Sequence, residues 1–260
     1  MGEIKTILVT GSSSGIGLGV ARRFAAAGYN VALNSFEPES RVADVIDGVA
    51  AAGAGRAAYF EADLSARGAG VELVERVIAH FGQLDVLVNN AGIQKVSPVE
   101  EFELDDWARV RSIILDSSFE AIKASVPGMA ERGWGRIINI ASAHGLVASP
   151  FKSAYVSAKH GMMGLTKTVA LEVAEKGITV NAICPGYVLT PLVEAQLKDQ
   201  ARVHGISEDE VKREIMLAPQ PTKQFVGIDE VAELAFYLSG DLARSITGTA
   251  ISIDGGWTAR

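Results

Sequence analysis

Only one cysteine occurs in the chain, Cys184, so no intrachain disulfide can form and a reducing compartment suits it. Positive charge is in deficit: 24 Lys and Arg face 31 Asp and Glu, a formal net charge of −7. No dense basic cluster offsets this, which argues against a nucleic-acid partner. No apolar run approaches the roughly 20 residues that a membrane-crossing helix needs. The first residues, Met1-Gly2-Glu3-Ile4-Lys5-Thr6, lack the apolar stretch of a secretory signal, so a cytoplasmic protein without membrane partners is expected. Aromatic residues are scarce at 7%, whereas glycine is plentiful at 27 residues. That balance fits alternating strands and helices joined by tight turns. With 260 residues and 48% hydrophobic content, one sizeable core is affordable.

Short β-rich runs alternate with longer helical stretches. The candidate strands are Thr6–Thr10, Asn30–Leu33, Ala57–Glu61, Val86–Asn89, Ile137–Ala141, Val180–Ile183 and Ala250–Ile253. Several are apolar throughout, as expected of strands covered on both faces. Helices are expected over Gly17–Ala27, Ala154–Lys176 and Asp229–Ser239. The pattern implies an α/β fold, a doubly wound parallel sheet of about seven strands in a single domain, 1–260. Between Pro185 and Ile228 the rhythm breaks. Thr190–His204 and Ser207–Leu217 read as helical, and Ser207-Glu208-Asp209-Glu210 resembles a capping box. A helical substrate lid within about 187–226 is expected.

After the first strand comes Thr10-Gly11-Ser12-Ser13-Ser14-Gly15-Ile16-Gly17. Three glycines allow a tight turn, close approach of backbone to a pyrophosphate, and tight helix–strand packing, while the helix N-terminus offers N–H groups to phosphate. At the end of the second strand, Asn34-Ser35-Phe36-Glu37 carries no Lys or Arg, and neither does the glycine loop. A 2′-phosphate would meet no cation there, which favours NAD over NADP. Phe36 is either a cover for the adenosine or a core aromatic. Asp63, followed by Leu64, is placed to accept the adenine amino hydrogen. Asn89-Asn90-Ala91-Gly92 puts small residues where a ribose would approach.

Tyr155 and Lys159 stand four residues apart, on one face of a helix, with Ser142 thirteen residues upstream. An ammonium beside a phenol favours the phenolate, so Lys159 is expected to lower the Tyr155 pKa. Such a tyrosine exchanges a proton with an alcohol or carbonyl. Taken alone, the pair is equally a solvated helix face.

In this order, the glycine loop, Asn89-Asn90-Ala91-Gly92, Ser142, Tyr155-x-x-x-Lys159 and Pro185-Gly186 resemble the classical short-chain dehydrogenase/reductase family. The resemblance implies a Rossmann-type sheet, usually in a homotetramer. It makes Tyr155 the acid/base, Lys159 its partner and nicotinamide-ribose ligand, and Ser142 the residue that orients the substrate oxygen. It brings Pro185, Gly186, Val188 and Thr190 to the cofactor, Thr190 at the nicotinamide amide. No metal is assigned.

Asn90-Ala91-Gly92-Ile93-Gln94, Ser142 to Ser149, Lys152-Ser153-Ala154-Tyr155 and the final Asp254-Gly255-Gly256-Trp257-Thr258-Ala259-Arg260 look like the bacterial D-3-hydroxybutyrate dehydrogenases within that family. This implies a small anionic substrate, its carboxylate held by Gln94, His144, Lys152 and Gln196, with Trp257 at its methyl end. One cation among neutral donors is what a small bound anion needs. Trp107 and Phe119 fix the register of one departure: Ile114 stands where the family carries an asparagine that helps hold a water linking Lys159 to solvent. Beside oxidation of the hydroxy acid, two rivals stay open: reduction of another β-keto acid, and a catalytically weak NAD-binding protein.

Overall fold

A computed structural model of the chain describes residues 4–190, 193–194, 197, 201 and 205–259. Seven parallel strands form one sheet: β1 (Thr6–Val9), β2 (Asn30–Ser35), β3 (Ala57–Glu61), β4 (Val86–Asn89), β5 (Gly135–Ile140), β6 (Ile178–Pro185) and β7 (Ala250–Ile253). Their order is β3-β2-β1-β4-β5-β6-β7, with Val9 paired to both Leu33 and Val88. The chain winds outward in one direction from β1 to β3 and in the other from β4 to β7. The crevice at this reversal, outside the carboxyl ends of β1 and β4, is where open parallel sheets bind ligands.

Pleating sends successive side chains to opposite faces. Ile7, Val9, Val31, Leu33, Ile138 and Ile183 meet α1 (Gly15–Ala26), α2 (Glu39–Ala51) and α7 (Ile228–Ser239) through Val20, Phe24, Val49, Val231 and Leu238. Leu8, Ala32, Leu87, Ile137 and Val180 meet α3 (Ala69–Phe81), α5 (Ser117–Arg132) and α6 (Ser153–Val173) through Leu73, Val77, Ile122, Met129 and Val169. Both faces are thus covered, which explains why the central strands read as apolar throughout. β3 and β7 are partly exposed, as sheet-edge strands.

The expected strand limits shift at a few places. β5 begins two residues early because Arg136 is buried in it. Its guanidinium donates to the Gly135 and Gly177 carbonyls at 2.8 and 3.2 Å and lies over the Trp134 ring. Thr10 lies outside β1, where its hydroxyl accepts the N–H groups of Asn90 and Ala91 at 2.9 and 3.0 Å. α4 (Leu104–Arg111) continues through a π-helical stretch, Ser112–Asp116, into α5.

The Ser207–Glu210 capping box is formed and starts a short helix that widens into a π turn over Val211–Met216. The larger part of the expected helix Thr190–His204 lies outside the described residues. Leu197, Val211 and Met216 form a separate small apolar cluster, with Tyr187 and Val193 packed against it. A parallel bridge between Val188 and Val226 ties the ends of this segment together.

Candidate active site

Two cavities open along the carboxyl ends of the strands. The larger, about 320 Å³, is lined by Gly11, Ser14, Gly15, Ile16, Phe36, Asp63, Leu64, Asn90, Ala91, Gly92, Tyr155, Lys159 and Thr190. The smaller, about 120 Å³, is lined by Gln94, Ser142, His144, Lys152, Pro185, Gly186, Val188 and Trp257. Ile16, Ala141, Tyr155 and Thr190 line both. Most of the expected cofactor residues line the larger chamber and the described substrate candidates line the smaller, the two meeting at Tyr155, but Pro185, Gly186 and Val188, expected at the cofactor, line only the smaller one.

The larger cavity is shaped by backbone. Gly11 has φ +60°, and a Cβ there would lie 2.9 Å from the Ala91 Cα. Gly17 does not line the cavity. A Cβ on it would stand 2.4 Å from the Gly11 carbonyl and 2.5 Å from Asn90 Nδ2, so this glycine acts by packing the helix under the loop. Asn90 Nδ2 donates to the carbonyls of Thr10 and Gly11, each at 2.9 Å, and Asn34 Oδ1 accepts the Gly11 N–H at 3.2 Å. α1 begins at Gly15 with no side-chain cap and no acidic residue in its first turn, leaving its N–H groups and positive dipole end to an anion. These features fit a dinucleotide. Phe36 is 72% exposed, which rules out the core role and leaves the outer wall. Backbone N–H and hydroxyl donation from Ser65 hold the Asp63 carboxyl below its ordinary range, so it stays ionised. Arg109 and Ile113 of the α4–α5 segment close the far side, a contribution that no local signal announced.

α6 carries Tyr155 and Lys159. Lys159 is 3% exposed and donates to the Ile140 carbonyl at 2.7 Å. Burial pulls its ammonium down to about 8. The expectation that Lys159 lowers the Tyr155 pKa is overturned among the protein's own groups. Burial pushes the phenol up to about 12, outweighing a hydrogen bond with Ser142 that acts the other way. The Lys159 ammonium sits 5.6 Å from the Tyr155 ring centroid and makes its hydrogen bond elsewhere. The Ser142 hydroxyl accepts the His144 N–H at 3.1 Å, fixing the turn after β5.

In the smaller cavity Lys152 is the one cation among the described lining residues. Burial first, and then the Lys152 charge, pulls His144 down to about 4, so this imidazole is neutral at pH 7. Its Nε2 lies 2.8 Å from Ser149 Oγ. Gln94 Nε2 is buried with no acceptor among the described residues. Lys152 Nζ donates to the Tyr187 hydroxyl at 3.2 Å. Tyr187 stacks on Trp257 at 5.6 Å and 12°, and His144 meets Trp257 edge-on at 5.0 Å. Gln196 lies outside the described residues. Sequence reasoning missed Asn34 and Tyr187. A polar residue ending an apolar strand was the available signal for the first, and Tyr187 following Pro185-Gly186 for the second.

Ile114 is fully buried, with Val110, Ala141, Ala158 and Met162 around it and Tyr155 packed against the same cluster. The π-helical stretch spans it. Its carbonyl accepts the Ser118 hydroxyl at 2.7 Å. The helix is therefore widened at this residue, but a hydrocarbon side chain fills the space.

A crevice that fits a dinucleotide, meeting a smaller chamber lined by Lys152 at a buried Tyr–Lys pair, has the arrangement of an oxidoreductase site of the short-chain type. The short chain dehydrogenase family matches residues 5–201, and the chain belongs to that family. It is 56% identical over 256 residues to a D-beta-hydroxybutyrate dehydrogenase of Rhizobium meliloti, covering 98% of this chain and 99% of that protein. It is 48% identical over 258 residues to the D-beta-hydroxybutyrate dehydrogenase of Cupriavidus necator, covering 98% of each. Similarity falls to 35% over 255 residues with a 3-oxoacyl-(acyl-carrier-protein) reductase of Staphylococcus epidermidis, covering 97% of this chain and 98% of that protein.

Proposed function

We propose that the protein interconverts D-3-hydroxybutyrate and acetoacetate with NAD as the hydride carrier. The observation that carries this is the junction at Tyr155: one chamber fits a dinucleotide, and the other presents, among the described residues, one cation and an amide donor without an acceptor around a small volume. NAD, bound by Gly11, Ser14, Gly15, Ile16, Asn90 and Thr190, supplies hydride acceptance and return. NAD is favoured over NADP because Ser35 and Phe36, which line the cavity after β2, bring no cation.

Lys152 and Gln94 hold the carboxylate, and neutral His144 contributes through its ring nitrogen. Trp257 covers the methyl end. Ser142 fixes the hydroxyl oxygen beside Tyr155. In oxidation, Tyr155 as phenolate takes the hydroxyl proton while the C3 hydrogen leaves with its electron pair. In reduction, Tyr155 gives its proton to the carbonyl oxygen. Its high intrinsic pKa keeps it in the proton-donating form at neutral pH. Lys159, which lines the cofactor chamber, holds the nicotinamide ribose.

The small chamber disfavours the longer thioester-linked ketoacyl substrates named for the more distant relatives. The chain is proposed to act as one domain in the reducing cytoplasm, which buried free Cys184 suits. It is proposed to work as a homotetramer. Phe119 on α5 and Leu171 on α6, 51% and 83% exposed, supply apolar surface for such assembly.

Comparing D-3-hydroxybutyrate with butan-2-ol, which lacks the carboxylate, tests the reading. A charge-assisted hydrogen bond of about 1.5–3 kcal/mol predicts a wild-type preference for the acid of roughly 10- to 150-fold in kcat/KM. Lys152→Met should collapse that preference. Equal turnover of both alcohols by the wild type would sink the assignment.

A further inference from the structure

Lys152 has four rotatable side-chain bonds and lies at the mouth of its helix, in the turn that precedes α6. Left to itself, such a side chain spreads over many rotamers, and capturing an anion would require it to give up that freedom. Here it is not left to itself. Its ammonium is hydrogen-bonded to the Tyr187 hydroxyl at 3.2 Å and stands 5.5 Å from the centre of the same ring.

Tyr187 is in turn immobilised from two sides. Its ring stacks on Trp257, and its backbone N–H donates to Gln220 Oε1. Gln220 is wholly buried, and its Nε2 donates to the Gln224 carbonyl at 2.7 Å. The phenol is therefore a fixed acceptor at the wall of the small chamber. One ammonium hydrogen is spent on it, which leaves two for a ligand. Gln94 Nε2, buried without an acceptor among the described residues, lines the same chamber.

From this geometry we infer that Tyr187 is a positioning residue for carboxylate recognition: its hydroxyl holds the Lys152 ammonium at the height where a small carboxylate enters. The inference rests on the proposed function for the identity of the acid, but its core is anion binding and does not require turnover. Tyr187 acts on affinity through Lys152. Its hydroxyl is engaged with Lys152, so its loss should act on KM and leave kcat nearly unchanged.

Two variants and their combination test this. Tyr187→Phe keeps the ring and its stack and deletes only the hydroxyl. Acetate, a carboxylate with no reactive alcohol, serves as the probe for calorimetric titration into the NAD-loaded protein. Tyr187→Phe should weaken acetate binding about tenfold, the scale of one hydrogen bond to a charged group, and raise the KM for D-3-hydroxybutyrate by a similar factor. Its kcat and NAD affinity should stay within about twofold, within the scatter expected of a residue that makes neither contact. In a Lys152→Met background the same substitution should have no further effect, because the group it positions is gone. Acetate affinity unchanged in Tyr187→Phe, or effects of the two substitutions that simply multiply, would overturn the inference, as would absence of saturable acetate binding to the wild type. Turnover of hydroxybutyrate is read separately, so a protein that binds acetate as described but oxidises no hydroxy acid refutes the proposed function and leaves this inference standing.

Discussion

Replacing Lys159 with methionine should make the protein more stable while disabling it. The ammonium is held in a nearly sealed site with one protein acceptor, the Ile140 carbonyl, and burial pulls its pKa from 10.5 to about 8. At 1.36 kcal/mol per unit, that displacement amounts to about 3 kcal/mol of strain in keeping the charge folded at pH 7. Removing the ammonium also removes its charge-assisted hydrogen bond to Ile140, a loss of about 1.5–3 kcal/mol. The balance is a gain of up to about 1.5 kcal/mol, or up to about 6 °C in Tm for a chain of this size. Scanning calorimetry of the cofactor-free proteins at equal concentration measures it. The pH dependence supplies a second check. Between about 8 and 10.5 the unfolded chain keeps a proton that folded Lys159 has released, so wild-type stability climbs with pH in this window. The lead of Lys159→Met should therefore shrink by about 1.4 kcal/mol per pH unit from pH 8 upward. A variant clearly less stable than the wild type at pH 7, or a gap that does not change between pH 8 and 10, would show that Lys159 is not a desolvated cation.

Other consequences follow from the same geometry. Because burial holds Tyr155 near 12, hydroxy-acid oxidation should accelerate with rising pH through the neutral range, while acetoacetate reduction should hold level or fall, as seen in paired pH–rate profiles. Gly17→Ala should lower NAD affinity by at least about tenfold, measured by titration, since its Cβ would collide with the Gly11 carbonyl and the Asn90 amide that set the loop. Ile114→Asn should raise kcat with little change in KM if proton relay from Lys159 limits turnover. It should also lower stability by about 2–4 kcal/mol, because the amide enters a fully buried apolar cluster.

What could be read from the sequence was what depends on local spacing. Ile7–Val9, Val31–Leu33 and Val86–Val88 are buried on both faces and so were apolar without alternation, which fixed the number and kind of the strands. Tyr155, Lys159 and Ser142 converge because one helix and one strand end carry them. What could not be read depended on three-dimensional surroundings. The start of β5 was hidden by Arg136, a charge that strands seldom bury, whose carbonyl and Trp134 partners come from either side of it. The Tyr155 pKa ran opposite to expectation because enclosure by other elements outweighs its hydrogen bond with Ser142. Tyr187 emerged only when stacking on Trp257, seventy residues onward, set its hydroxyl against Lys152. Phe36 looked equally suited to core and surface until its exposure separated the two.

The most direct measurement is nicotinamide reduction by the purified protein, followed by absorbance, with each enantiomer of 3-hydroxybutyrate and with NAD and NADP in turn. Rapid reduction of NAD by the D enantiomer, abolished in Tyr155→Phe, is the predicted result. Equal use of both enantiomers, a preference for NADP, or full activity in Tyr155→Phe would contradict it.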